Sequence, residues 1–448
     1  MKKKLNLVYA AATAAFSLAL LQTSVATPVI TSATMVQPNQ SGRDVTITYT
    51  LANAPAVVTL DIQTNAVTEG EAVWVSIGGE HIQTFIPGSD VFKKVEGNGP
   101  HTIVWKAETD WPGFKLKGQS ARAVVTAWAM NDTPDYMVVD ISSSAGADSL
   151  RYYTSTNFLP GGLFGIDDYR TTKLVMRRIH AKNIPWTMGS IFEANRNTKE
   201  YAHAAVLTND FYLGVFPVTQ AQWANVAGYN NSDYKTAADR DLHPVEMLSY
   251  NEIRCTDEGN VNGMSIASKG GLWPEPPYEG SFLDKLNDRT GLDFDLPMEG
   301  EWEFACRVGG LIGDGRWNTG KPRLVTGDAA DANMPGANKY NGYASTTAVV
   351  GLFEPNAWGL YDMHGNVWEW CLDWYVDNVS SLGGAVNIDF DSPGNRRDSA
   401  VAGTSRVQRG GCAATSMVNN RLANRVGTAP TSRLKWYGLR LACRAGLK

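Results

Sequence analysis

The 448-residue chain is about two to three domains long by the usual length prior. Hydrophobic residues at 43% and charged residues at 19% fit core-forming globular domains and exclude wholesale disorder. Lys plus Arg at 40 against Asp plus Glu at 45 leaves a net charge of −5, which excludes a global electrostatic footprint for nucleic acid; five scattered cysteines exclude a disulfide framework.

Met1 is followed by Lys2, Lys3 and Lys4, then by an alanine-rich apolar stretch from about Leu5 to Leu21, then by Ser24-Val25-Ala26. A basic start, an apolar middle and small residues at the peptidase positions are the three parts of a secretory signal. Residues 1–26 are expected to be a signal peptide. The protein is then expected to be exported, to the periplasm, the medium or the cell surface. A membrane anchor is the rival reading, but Asn6, Thr13 and Ser17 interrupt the run and no basic stop-transfer cluster follows. No later stretch reaches the length of a membrane span.

Residues 27–142 are expected to form an all-β domain. Val45 to Leu51 alternates strictly, the period of a half-buried strand. Ala56–Ile62, Val73–Ile77, Thr102–Ala107, Ala121–Trp128 and Tyr136–Ile141 are further candidates, separated by turn signals such as Gly78-Gly79, Pro87-Gly88 and Pro112-Gly113. This spacing suggests an antiparallel sandwich of immunoglobulin or fibronectin type, with a spacing or adhesive role. No cysteine pair brackets Trp105, so an antibody-like domain is not indicated. Residues 143–169, opening on small residues, are expected to be a linker. In residues 170–448 the pattern predicts short helices over Pro244–Arg254 and Phe282–Asn287, and strands over Val407–Gly410 and Tyr437–Ala442.

This second region carries motifs in a fixed order. Trp186-Thr187-Met188-Gly189-Ser190 comes first, then Asp210 to Thr219 leading into Gln222-Trp223. His243-Pro244-Val245 and Leu296-Pro297-Met298-Glu299-Gly300-Glu301-Trp302-Glu303 follow. Next stands Trp358-Gly359-Leu360-Tyr361-Asp362-Met363-His364-Gly365-Asn366-Val367-Trp368-Glu369-Trp370. Last come Arg406-Val407-Gln408-Arg409-Gly410-Gly411, the pair Arg421 and Arg425, and Gly438-Leu439-Arg440. The ordered set resembles the formylglycine-generating enzyme family, also called the sulfatase-modifying factor family, over about residues 170–448. The resemblance implies an α+β, C-type-lectin-like domain, preceded here by the expected sandwich, with aromatic packing and often calcium.

Glu299, Glu301 and Glu303 crowd the start of a short helix, where carboxylates complement the positive end of the dipole. A solvated first turn is the expected reading, ahead of acid–base catalysis. Two carboxylates, Asp362 and Glu369, flank Gly365 in a segment that fits a hard-cation loop, since calcium takes about six to eight oxygens. By resemblance, Asp362 and Glu369 would supply side-chain oxygens and Gly365 and Val367 backbone carbonyls. A second family site maps to Asn333, Met334, Asn341 and Tyr343. Asn341 stands where the family often has Asp, so one charge fewer weakens that site. The alternative is a turn closed by side-chain hydrogen bonds without metal. His364 has no second histidine at ligand spacing, which argues against a histidine-built transition-metal site.

The family's oxidase resembles a copper(I) enzyme that holds its metal between two thiolates. Here the family's first cysteine position falls on Thr415, and the second on Asn420 or in a short gap. Cys412 takes the place of the serine that usually follows Gly-Gly. Copper is therefore not expected, and no catalytic residue is assigned. Cys255, Cys306, Cys371 and Cys443 lie in apolar or aromatic segments and read as packing residues. The expected function is a non-catalytic binding module for a protein, peptide or glycan; the alternative is an oxidoreductase of formylglycine-generating type, acting on a protein or peptide cysteine with altered metal ligands. Trp358, Trp368, Trp374 and Trp436 are candidates for a concave binding surface or for core packing.

Overall fold

The computed structural model of the protein describes residues 26–37, 43–67, 69–113, 120–142, 149–190, 197–255, 260–261, 264–265, 277–309, 346–377, 388–389, 404–415 and 417–444. Residues 1–25 of the expected signal lie outside this set, as do Asn333, Met334, Asn341 and Tyr343 of the second expected calcium site.

Alternation along Val45–Ala52 turns Val45, Ile47, Tyr49 and Leu51 to one buried face. The strand lies between Val29–Val36 and Gly99–Trp105 in a three-stranded antiparallel sheet. A second sheet is built around Ala56–Asn65, which pairs with Trp74–Ser76, Lys93–Val95 and Ala121–Trp128. Buried residues of both sheets, among them Ile47, Tyr49, Leu60, Ile62, Ile103 and Trp105, form one apolar cluster. The Trp105 indole N–H is satisfied by Asp110 at 2.9 Å, as burial of that donor requires.

Tyr136–Asp140 is a strand, as the pattern predicts, but its partners are not those two sheets. It pairs with Leu150–Tyr153 and Lys173–Ile179. The resulting six-stranded sheet runs in the order Phe294–Asp295, Ala442–Cys443, Phe211–Gly214, Lys173–Ile179, Tyr136–Asp140, Leu150–Tyr153. The period of two divides its side chains between two cores. Val138 and Val175 join the N-terminal cluster, while Met137, Val139, Leu174 and Met176 join the C-terminal one. Residues expected to connect two bodies therefore form the edge of a shared sheet.

Helices are few and short. Gln220–Ala227 starts at a capping box, with Thr219 and Gln222 exchanging side-chain and backbone bonds, and stops at Gly228 with φ +85°. The helix expected over Pro244–Arg254 begins only at Tyr250, capped by Ser249 and Glu252. Before it the chain is extended, because the Val245 N–H bonds to Val218 O and Met247 adopts φ +61°. Phe282–Thr290 starts at Ser281 and ends at Gly291. A four-stranded sheet orders Arg425–Thr428, Arg406–Arg409, Trp368–Trp374 and Tyr437–Gly438, the last pair parallel. Among the described residues no helix is long and apolar enough to cross a membrane.

Candidate functional site

The loop between strands Arg406–Arg409 and Arg425–Thr428 carries the positions where the family resemblance puts two thiols. It opens on Gly410 and Gly411, both at positive φ. At Gly411 a Cβ would lie 1.8 Å from Asn420 Oδ1, so only glycine lets the two ends of the loop close. Thr415 Oγ1 accepts the Cys412 N–H at 3.2 Å and contacts the Cys412 carbonyl at 3.0 Å. The same hydroxyl lies 3.1 Å from Asn420 Oδ1. The fold thus brings Thr415 and Asn420 into direct contact. What meets there is a neutral hydroxyl and a neutral amide, poor ligands for copper(I), which favours thiolates. Asn420 Nδ2 is buried without a hydrogen-bond partner among the described residues, and an N–H donor ligates no metal. The residues present do not fit a copper(I) centre.

All five cysteines are buried and none is in a disulfide. Burial raises the Cys412 thiol and pushes Cys255 up to about 11, so neither is poised as a thiolate. Cys306 Sγ lies 3.7 Å from His364 Nε2, and His364 Nδ1 donates to the Asn420 carbonyl at 2.8 Å. Burial drives His364 down to about 4, so the ring is neutral and passes a chain of hydrogen bonds from the core to the loop.

Buried ion pairs anchor the loop. Arg409 meets Glu303 and donates to the Leu422 carbonyl at 2.9 Å. Arg421 is bidentate on Glu200, and Arg425 on Glu299 at 2.6 and 2.8 Å. Glu299, Glu301 and Glu303 sit on helix Glu299–Cys306, every residue of which is buried. The expected solvated first turn is corrected by this burial: each carboxylate meets an arginine, with Arg444 on Glu301 and Arg307 on Glu303. Burial pushes the Glu303 carboxyl up, but Arg307 and Arg409 outweigh it and hold it below the usual range. Apart from Arg307, four positions after Glu303, composition could not assign these arginines, because the partners are far apart in sequence.

Asp362, at φ +57°, accepts the Gly351 N–H at 2.8 Å, and burial pushes its carboxyl up to about 6. Gly365, at φ +100°, donates its N–H to the Gly410 carbonyl, and Val367 is buried. Glu369 has both oxygens engaged by Arg440, and Trp302 Nε1 donates to its Oε2 at 2.6 Å. A carboxylate so occupied does not fit a calcium ligand, which must approach the ion at about 2.3–2.6 Å. Among the described residues no cluster of three or more His, Cys, Asp or Glu is arranged to hold a metal.

The four tryptophans do not share one surface. Trp368 and Trp374 are buried, and Trp374 lies under the Arg406 guanidinium. Trp358 packs on Phe304. Trp436 is half-buried against Tyr234, ring centroids 5.1 Å apart, with Lys435 Nζ over both rings. Tyr234 was not singled out in the sequence. It lies within electrostatic reach of Cys412, and Glu246 Oε1 accepts its N–H at 2.9 Å. Burial pushes the Glu246 carboxyl up to about 7.

Residues 144–445 match the family described as the sulfatase-modifying factor enzyme 1-like domain. The formylglycine-generating enzyme of Thermomonospora curvata is 32% identical over 203 residues, covering 40% of this chain and 63% of that enzyme. The formylglycine-generating enzyme of Mus musculus is 28% identical over 330 residues, covering 67% of this chain and 82% of that protein. Among solved structures, Treponema denticola variable protein 1 aligns at 26% identity and a TM-score of 0.42, over 61% of this chain and 96% of its own.

Proposed function

Because the chain belongs to the sulfatase-modifying factor family, we propose that it keeps the family scaffold and uses it for binding, without the two-thiolate oxidation. The observation that carries this reading is the Thr415–Asn420 contact at 3.1 Å, where sulfur would be needed. The face bearing Tyr234, Lys435 and Trp436 is the proposed contact surface. Half-exposed rings with a polar rim suit a protein, peptide or glycan ligand. The scaffold is proposed to be C-type-lectin-like, and the N-terminal pair of sheets an immunoglobulin- or fibronectin-like sandwich that spaces it. Export through the N-terminal signal belongs to the same proposal.

Copper(I) titration of the purified chain, run beside a Cys-x-Pro-x-Arg peptide assay read by mass loss at cysteine, tests the reading. The expected result is no stoichiometric copper binding and no turnover. Tight copper binding that disappears in Cys412→Ser, together with peptide turnover, would instead support an oxidoreductase with rearranged ligands. Cys412 is the residue that keeps this alternative open, since its backbone N–H lies within hydrogen-bond reach of Thr415.

A further inference from the structure

The segment from Asp362 to Glu369 reads as a cation loop, yet the carboxylate that ends it faces a guanidinium. We propose that Arg440 is the resident cation of this loop, and that the loop holds its shape without calcium. Arg440 Nε lies 3.1 and 3.0 Å from the two Glu369 oxygens, and a second nitrogen, NH2, lies 2.9 Å from Oε1. The remaining donors reach backbone carbonyls: Gly214 at 2.8 Å, Val215 at 3.1 Å and Tyr361 at 2.6 Å. All five N–H groups of the guanidinium are thereby used. Both side chains are buried, at 0% and 1% exposure, so the pair is a closed, neutral unit.

A divalent ion on Glu369 would have to displace Arg440 or lie beside it. Displacement strands a buried cation and takes a donor from three backbone carbonyls, of which Val215 O keeps the Tyr361 N–H at 2.9 Å. Coexistence places three positive charges against at most two carboxylates, Glu369 and Asp362, in a low-dielectric interior. The guanidinium also does what a bridging ion does. It ties the Tyr361 carbonyl, at the entrance of the loop, to the strand that contains Glu369 and to strand Phe211–Gly214 with the following Val215. The rest of the loop closes by protein contacts. Asn366 exchanges two side-chain bonds with the Ala348 backbone at 3.0 and 3.1 Å, and the Ala413 N–H bonds to the Asn366 carbonyl.

The test is thermal melting of the full chain in EDTA and in excess calcium chloride. Asn333→Ala and Asn341→Ala are included to remove the second expected loop. The expected shift in Tm is below about 1 °C, because only metal bound to the folded state stabilises it. Terbium added to the same protein is expected to show no saturable emission sensitised by Trp302 or Trp368. A calcium-dependent rise of several degrees that Glu369→Gln abolishes overturns the proposal. Arg440→Met adds a second measurement: a lower Tm in EDTA, partly restored by calcium. An Arg440→Met chain that melts like the parent in EDTA also overturns it. If that variant does not accumulate folded, the parent measurement decides alone.

Discussion

The two ends of the molecule build their interiors from different forces. In the described residues before 143, the buried polar set is Thr59 and Thr133, and the interior is otherwise apolar. After 170, buried Glu200, Glu299, Glu303 and Glu369 meet buried Arg421, Arg425, Arg409 and Arg440. Apolar burial is non-directional and needs regular strands to organise it. The C-terminal region has long irregular loops, and directional, charge-assisted bonds hold them in place of sheet ladders. Such pairs are weak evidence for net stability, but breaking one leaves an uncompensated buried charge. The contrast is between a core sensitive to the volume of its side chains and one sensitive to their charge.

The sharpest use of this contrast is to ask whether the ion-pair frame holds the Cys412–Asn420 loop rigidly. If it does, Thr415→Cys with Asn420→Cys brings two thiols together, and the double variant is expected to bind copper(I) stoichiometrically where the parent does not. Titration against a chromogenic copper(I) chelator reads this; equal, absent binding in both would show the loop to be loose. Next in size is Glu303→Ala, which strands Arg307 and Arg409. Urea unfolding is expected to show a loss of about 3–5 kcal/mol, the range for breaking a buried pair. A loss below about 1 kcal/mol, the level of an exposed pair, would remove the frame from the account.

Glu246 supplies a pH signature confined to the C-terminal region. Its carboxyl is raised from 4.5 to about 7 by burial, so the folded state binds a proton that the unfolded state has released. Stability is therefore expected to fall as pH rises from about 4.5 to about 7, and to level off above. Glu246→Gln is expected to flatten this window in melts taken across pH; an unchanged slope would reassign it. The smallest effect belongs to the apolar end: Ile47→Val is expected to cost about 0.5–1.5 kcal/mol, independent of pH and salt. A salt-dependent loss there would blur the comparison itself.

Strands such as Val45–Ala52 and Ala121–Trp128 were legible because a period of two needs no knowledge of the partner. The motif series was legible as well, and it located the loop that carries Thr415 and Asn420. Less was legible at Tyr136–Asp140, where the strand was visible but its sheet was not. Alternation reports two faces without naming what covers each, and here the two faces serve different cores. The carboxylates of helix Glu299–Cys306 were visible as charges, and charge on a short helix ordinarily means solvent. Beside the local Arg307, the arrival of Arg409, Arg425 and Arg444 from over a hundred positions away makes their burial tolerable.

By itself the sequence determined local geometry and chemical inventory: which segments are strands, where the chain must turn, and that the stretch after Gly410-Gly411 holds Thr415 and Asn420 and a single cysteine, Cys412. Those properties depend on neighbours along the chain. Tertiary structure alone decided which distant charges pair, that Glu369 belongs to Arg440, and that Tyr234 packs on Trp436. Pairing of that kind is a property of distance in space. A charged residue in one dimension carries no record of the partner that folding will bring within three ångströms of it.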